Sequence, residues 1–410
     1  MYERMKNKRI SAAALLLIGS FILSSCSVGN KPKKFRDQYE ITNDVPSSYS
    51  LMDDGFIADV ELQMGGTCWS NAATTVMEYG YRKYGKRSVE MDAVALAVMV
   101  YNPHSPEGYS AGSRDSIYDA GGTAEMVVHT ASNGFGSYTL VDSCEISPRN
   151  ATDIKRAIMT FGGITVGLSE NDSNYMYTGE TFTMIASDSD EINHQAVIVG
   201  WDDDFPAEDF VSPASQNGAW LVQNSYSSDW GDNGFYWVSY DTPITDLHTM
   251  VMSIDYSSVA YYESGCTATL EYGNEVTVAN VFNKTGRLGA VGTYTTRPNQ
   301  HIVVTIYSKD MTTVLDSYEA TFEFQGYHTI ELDEPLSSDG VAIAVTYTGA
   351  APMEGESSEN YGIYYYASIE EGQSFIREGN EWLDLSQSET LTTIGLSESC
   401  NNCCIKALYL

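Results

Sequence analysis

Cys68 stands in the stretch Gln63-Met64-Gly65-Gly66-Thr67-Cys68-Trp69-Ser70, just after two glycines and at the start of a helix-like run. Within Ser70–Lys83, Ala72, Ala73, Val76 and Met77 recur at spacings of three and four, as one buried helix face requires. A thiol at a helix N-terminus lies at the positive end of the helix dipole, which favours the thiolate, the nucleophilic form. A buried structural cysteine beside a core tryptophan fits this stretch equally well. The partners must decide.

Thiol catalysis needs a base close to the sulfur and a third group to orient that base. Of the six histidines, His129 sits in a helical pattern, His301 and His328 border strands, and His104 and His248 lie in irregular stretches. These five read as structural. His194 differs, because it opens the run Gln195-Ala196-Val197-Ile198-Val199, a strand pattern that holds it rigidly while its ring can reach a cleft. Thirty residues on, Asn224 closes Trp220-Leu221-Val222-Gln223, and Tyr226, Trp230, Phe235 and Tyr236 follow as aromatics able to shield a hydrogen bond from water.

The order Cys68, His194, Asn224, with these surroundings, resembles the papain-like cysteine peptidases over about residues 47 to 240. The resemblance implies that Cys68 is the nucleophile and His194 the acid and base, with Asn224 accepting the ring N–H of His194. It implies that the Cys68 backbone N–H and the Gln63 side-chain amide form the oxyanion hole. It also implies that Gly121 and Gly122, just before a helical pattern, bond the substrate backbone. Gly162-Gly163 is similar to the family's wall near the histidine, and a plain turn explains it too. Two departures stand out. Gln63 precedes Cys68 by five positions, one fewer than is usual, and Tyr226 replaces the usual tryptophan.

The elements that must position these residues fall in order. Helical patterns cover Ser70–Lys83, Met91–Tyr101, Thr123–Asn133 and Thr152–Thr160, the last opened by Thr152-Asp153 as capping residues. Strand patterns then cover 163–168, 195–199, 219–223 and 235–240. Helices first and strands second predict an α+β fold with the two kinds of element segregated, and the resemblance implies a papain-like two-lobed catalytic domain, a helical lobe plus a β-barrel-like lobe. The insert from Asp202 to Asn217 is acidic and reads as a surface loop. In it, Asp202-Asp203-Asp204 reads as a solvated turn ahead of a calcium site.

Beyond about Val251, short strand-like runs separated by Gly, Asn, Asp and Pro predict an all-β sandwich. This region resembles the lectin-like domain appended to many bacterial papain-like peptidases, which implies a glycan ligand. The expected domains are a signal peptide at 1–25, a tether at 26–46, a peptidase domain at 47–250 and a lectin-like domain at 251–410.

The N-terminus is a targeting segment. Arg4, Lys6, Lys8 and Arg9 precede an apolar run from Ala12 to Leu23, and Leu23-Ser24-Ser25-Cys26 resembles the bacterial lipobox, with Cys26 the lipidated residue. The expected protein is exported and anchored to the cell membrane through that lipid, facing outward, or secreted if the lipobox is unused. Only about twenty residues separate Cys26 from the peptidase-like region, too few for a helical pro-domain.

A formal net charge of −33 argues against nucleic-acid and anionic-lipid partners. Seven cysteines do not make a disulfide scaffold, though a bridge from Cys266 to the C-terminal group is open. Cys400 and Cys403 have zinc-like spacing but no second half-site, so no metal and no cofactor are expected. The expected partners are protein or peptide substrates. The alternative is a catalytically weak adhesin or glycan-binding surface protein on the same fold.

Overall fold

The computed structural model describes residues 8–11, 31–35, 39–55, 57–85, 87–101, 107–110, 117–355, 357–360, 363–394 and 401–410. Cys26, and with it the lipidation expectation, lies outside the described residues. The chain divides into two compact units. One comprises 1–4, 37–254 and 359–364; the other comprises 5–36, 255–358 and 365–410.

In the first unit, four helices carry one side of the fold: α1 (Cys68–Gly85), α2 (Ala93–Val100), α3 (Ala124–Ala131) and α4 (Ala151–Phe161). Helix α1 is its spine. Every residue from Trp69 to Met77 is buried, so its apolar, small and hydroxyl side chains pack on all sides. Arg82 and Lys83 in its last turn suit the negative end of the dipole.

The caps are chemically explicit. Asp92 accepts from Val94 and Ala95 backbone N–H groups at the start of α2, and Thr123 accepts from Met126 at the start of α3. Helix α4 is capped by Asn150, not by the expected Thr152-Asp153 pair, because the helix begins one residue earlier, at Ala151. Its end is Gly162 at φ +107, where a Cβ would press on Tyr79 at 3.0 Å. The Gly162-Gly163 pair therefore answers to helix termination and to packing against Tyr79 and Val197.

The strands are β1 (Ser48–Ser50), β2 (Ile164–Leu168), β3 (Tyr175–Tyr177), β4 (Phe182–Met184), β5 (His194–Asp202), β6 (Ala219–Gln223) and β7 (Phe235–Ser239). They form one sheet in the order β1-β5-β6-β7-β4-β3, with β2 paired antiparallel to β5 from Leu168 opposite His194 to Ile164 opposite Ile198. Strand β5 is buried over its first eight residues, as a central strand must be. The helix-then-strand order is not strict: β1 precedes α1, Gly108–Ser110 is a strand between α2 and α3, and Thr139–Glu145 is one between α3 and α4. Asp203 is paired with Lys155 and accepts from the Tyr240 hydroxyl, and Asp202 accepts from the Asp204 backbone, so this acidic run is a self-satisfied turn.

The second unit is all-β. One sheet orders Lys33–Lys34, Val314–Phe322, Gln300–Ser308, Val341–Thr348, Glu275–Phe282, Ser374–Glu378 and Glu381–Asp384. Facing strands Gln325–Ser338, Gly286–Thr295 and Ile405–Tyr409 close a core that includes Val278, Val291, Ile302, Ile343 and Ile405. Lys33, expected in the tether, instead lies along Tyr318 and pairs with Asp316 at 2.9 Å. Within the core the Cys266 and Cys404 thiols face each other as free cysteines.

Candidate active site

Cys68 is the first residue of α1, and its position follows from the turn before it. The Thr67 carbonyl accepts from the Asn71 backbone N–H at 3.0 Å and from the Asn71 side chain at 2.8 Å, while the Thr67 hydroxyl accepts from Met64 N–H at 3.2 Å. Gly65 holds φ +60, and a Cβ on Gly66 would lie 2.8 Å from the Tyr118 carbonyl oxygen. Glycine at these two positions is thus what allows the shortened loop to reach Cys68.

His194 and Asn224 come from the neighbouring strand ends of β5 and β6, paired antiparallel. Asn224 is fixed by its backbone N–H to Gly234 at 2.9 Å. One residue before it, Gln223 accepts from the Tyr79 hydroxyl of α1 at 2.5 Å and donates to the Ala58 and Asp59 carbonyls. The helix and the sheet are therefore tied together beside the site.

The His194 Nε2–H donates to Asn224 Oδ1 at 2.8 Å, and Nδ1 lies 3.3 Å from the Tyr226 hydroxyl. His194 and Asn224 are 5% and 3% exposed, so water competes little for these bonds. The Tyr226 ring lies 5.0 Å from the imidazole and packs edge-on against Trp230 at 5.4 Å, with Tyr236 behind it. The replacement of tryptophan at 226 thus keeps an aromatic cover of several rings.

Burial opposes ionisation of Cys68. The hydrogen bond and charge of His194, with backbone N–H groups of Gln195 and Trp69, outweigh it and hold the thiol below its ordinary range. Burial likewise opposes protonation of His194, but its bond to Cys68, the Glu170 carboxylate, the Cys68 charge and Asn224 together push it up to about 9. Both shifts favour the thiolate and imidazolium form of the pair. That pair supplies a nucleophile and a proton donor at once.

Gln63 is tied to Ser225, the residue after Asn224. Its backbone N–H bonds Ser225 at 2.9 Å, its Oε1 accepts from the Ser225 hydroxyl at 2.7 Å, and its Nε2 donates to the Gly65 carbonyl at 2.7 Å. Gly122 packs directly on the buried Trp69 indole, where a Cβ would fall 2.4 Å from the ring. Gly121 holds φ +73 with open space on its Cβ side, and its carbonyl accepts from the Tyr101 hydroxyl at 2.7 Å.

Sequence reasoning missed Glu170. It lies two residues beyond β2, which pairs with β5 so that Leu168 stands opposite His194. Its carboxylate Oε2 is 3.6 Å from His194 Nε2, with the side chain 6% exposed. The same carboxylate accepts from Tyr236 at 2.5 Å, from Tyr226 at 3.1 Å and from Asn224 Nδ2 at 3.4 Å. Nothing local marks it in Ser169-Glu170-Asn171, because its significance comes from sheet register. Beside it a cleft is lined by Glu170, Asp172, Tyr175, Phe182, Tyr226 and Trp230. Among the described residues no cluster of His, Cys, Asp and Glu could hold a metal ion.

Residues 45–254 match the family described as papain family cysteine protease, and residues 260–409 match the lectin like domain. The chain is 26% identical over 227 residues to cathepsin L2 of Homo sapiens, covering 52% of this chain and 65% of that protein. It is 24% identical over 209 residues to the oryzain gamma chain of Oryza sativa subsp. japonica, covering 47% and 54% respectively. It therefore spans less than two thirds of the length of these relatives. Among solved structures, the cysteine protease and lectin-like domains of Cwp84, a surface layer associated protein of Clostridium difficile, superpose with a TM-score of 0.74 at 21% identity over 90% of each chain. Clostridial Cwp84 after propeptide cleavage gives the same TM-score at 22% identity, over 88% of this chain and 99% of that one. With the papain-family match spanning half of its length, the chain belongs to the papain family of cysteine proteases, and a lectin-like domain follows its α+β peptidase domain.

Proposed function

We propose that this protein is an exported, lipid-anchored cysteine endopeptidase that hydrolyses peptide bonds through Cys68, His194 and Asn224. The observation that carries the reading is the buried His194 imidazole, which holds the Cys68 thiol below its ordinary range on one side and donates to Asn224 Oδ1 at 2.8 Å on the other. The thiolate adds to the scissile carbonyl, and the oxyanion formed is held by the Cys68 backbone N–H. The Gln63 amide has two N–H groups; one is given to Gly65, and the second completes the oxyanion hole. The His194 imidazolium protonates the departing amine, and water activated by His194 then releases the acyl group. The segment that departs leaves past His194, along the aromatic and acidic cleft beside Glu170. Gly121 and Gly122 bind the backbone of the acyl half.

The decisive experiment incubates the reduced full chain with an unfolded protein substrate and with a thiol-directed peptidyl probe. Cleavage and labelling at Cys68 are expected, with Cys68→Ala losing at least about 10³-fold and Gln63→Ala about 10²-fold in kcat. No cleavage together with no labelling of Cys68 would refute the reading.

Export and anchoring are supported by the charged and apolar N-terminal segment ending at Cys26, and by the surface-layer association of Cwp84. No helix among the described residues is long and apolar enough to cross a membrane. In the producing bacterium, Cys26→Ala should move the protein from the membrane fraction to the medium; unchanged retention would sink the lipid anchor. The lectin-like domain supports docking of the enzyme on a surface glycan.

A further inference from the structure

A carboxylate that is 94% buried usually needs a structural partner of opposite charge. Among the described residues no lysine or arginine pairs with Glu170. Its only cationic neighbour in the described contacts is the His194 ring at 3.6 Å. The His194 Nε2–H is already given to Asn224, so the carboxylate acts on the ring through charge and not through that proton. Three donors fix the carboxylate in place: the hydroxyls of Tyr236 and Tyr226, and the amide Nδ2 of Asn224.

The Asn224 bond has a second consequence. Asparagine amide orientation is decided by its partners, and here Nδ2 faces an acceptor-only carboxylate. Oδ1 must then face the His194 N–H, where it lies at 2.8 Å. Glu170 therefore acts together with the Ser225 backbone N–H, which donates to the same Oδ1 at 2.8 Å, to select the amide orientation that His194 needs.

We propose that Glu170 is a positioning residue of this active site, whose carboxylate stabilises the imidazolium of His194 and locks the amide of Asn224 toward it. The tyrosine at position 226 belongs to the same device, since its hydroxyl both holds Glu170 and sits 3.3 Å from His194 Nδ1. An indole at that position has no oxygen to place between them. The titratable groups that face His194 are Cys68 from α1, Glu170 from the segment after β2 and Tyr226 from the segment after β6. Those that face Glu170 are His194, Tyr175, Tyr226 and Tyr236.

The role rests on the peptidase reading of the site, and two measurements keep the two claims separable. The first compares wild type with Glu170→Gln, which keeps the shape and an acceptor oxygen. The rate of peptide cleavage and the rate of Cys68 alkylation by iodoacetamide are both followed against pH. Loss of the carboxylate should lower the alkaline inflection by about one pH unit and leave the acidic one nearly in place. A merely structural Glu170 would reduce rates evenly at every pH, and coincident normalised profiles would overturn the proposal. If alkylation shows the shift but no peptide is cut, Glu170 stands and the peptidase reading falls; if cleavage occurs without a shift, the reverse holds.

The second measurement does not depend on the folding of the Glu170 variant. In Cys68→Ala, His194 is titrated by NMR in the full chain, free of its thiolate partner. Burial alone would take it well below the ordinary histidine value of about 6.5. With Glu170 acting as proposed, it stays at or above that value; a fall well below it rejects the role.

Discussion

The chemistry of Cys68 is decided by opposing contributions of similar size. Burial disfavours both the thiolate and the imidazolium, yet each charge supplies what the other lacks, and Asn224, Glu170 and two backbone N–H groups tip the balance toward the charged pair. A unit charge at about 4 Å is worth roughly 4 kcal/mol at the partly screened dielectric of such a site, comparable with the cost of burying one ion. The pH dependence follows with its sign. Activity should rise as Cys68 ionises, below the ordinary thiol range, and fall as His194 loses its proton near about pH 9. A bell-shaped kcat/KM profile with its alkaline limb near neutrality would contradict this. Cys68, His194 and Asn224 were legible because strand ends and a helix start hold functional side chains at positions that pattern alone can mark. Glu170 was not, because its distance from His194 depends on the β2–β5 pairing.

At the scale of elements, the loop from Gln63 to Thr67 and the turn at Gly121-Gly122 set where α1 begins. Gly122 admits the Trp69 indole, and Trp69 is the residue after Cys68. Gly122→Ala places a methyl carbon 2.4 Å from that ring, which should cost about 1–3 kcal/mol of stability through overpacking. Thermal unfolding measures that loss, and kcat should fall with it because the start of α1 must shift. A variant with unaltered Tm would show that the indole has somewhere to go. The four helices of the first unit were legible to within a residue or two, three of them with a side chain capping their own backbone, whereas the short helix Ser388–Thr393, which has no side-chain cap, was not. The strand Thr139–Glu145 was not, because its Asp142, Ser143 and Cys144 are buried, and a polar-looking run gives no alternating pattern. Strand Val314–Phe322 was hidden likewise, its first four residues running exposed to half-buried without alternation and its Asp316 and Glu319 half-buried.

At the scale of the molecule, the C-terminal unit carries its own buried charge. Lys406 and Glu263 are both fully buried and bonded to each other, with the Tyr261 ring 5.3 Å from the ammonium group. Burial pushes the Glu263 carboxyl up, and Lys406 opposes that rise. Lys406→Met should therefore cost about 3–5 kcal/mol, because a carboxylate is left without its partner, whereas Lys406→Met with Glu263→Gln should recover much of it. Chemical denaturation of the full chain tests this, and a single variant as stable as the double one would show the pair to be dispensable. The β-sandwich was legible from strand spacing, while this pair was not, since a lone lysine in a C-terminal strand reads as an edge residue. One further property follows from the preformed thiolate at the start of α1. Among the described residues Cys144, Cys403 and Cys404 are buried, whereas Cys68 and Cys266 are partly open to solvent, and of these two Cys68 is the one whose thiol is held below its ordinary range. A thiol held below its ordinary range and open to solvent meets peroxide more readily than a buried one, so Cys68 is oxidised to sulfenic acid before Cys144, Cys403 and Cys404 react. Such an enzyme is silenced by the oxidant load of its surroundings and restored by a small thiol, with no inhibitor protein needed.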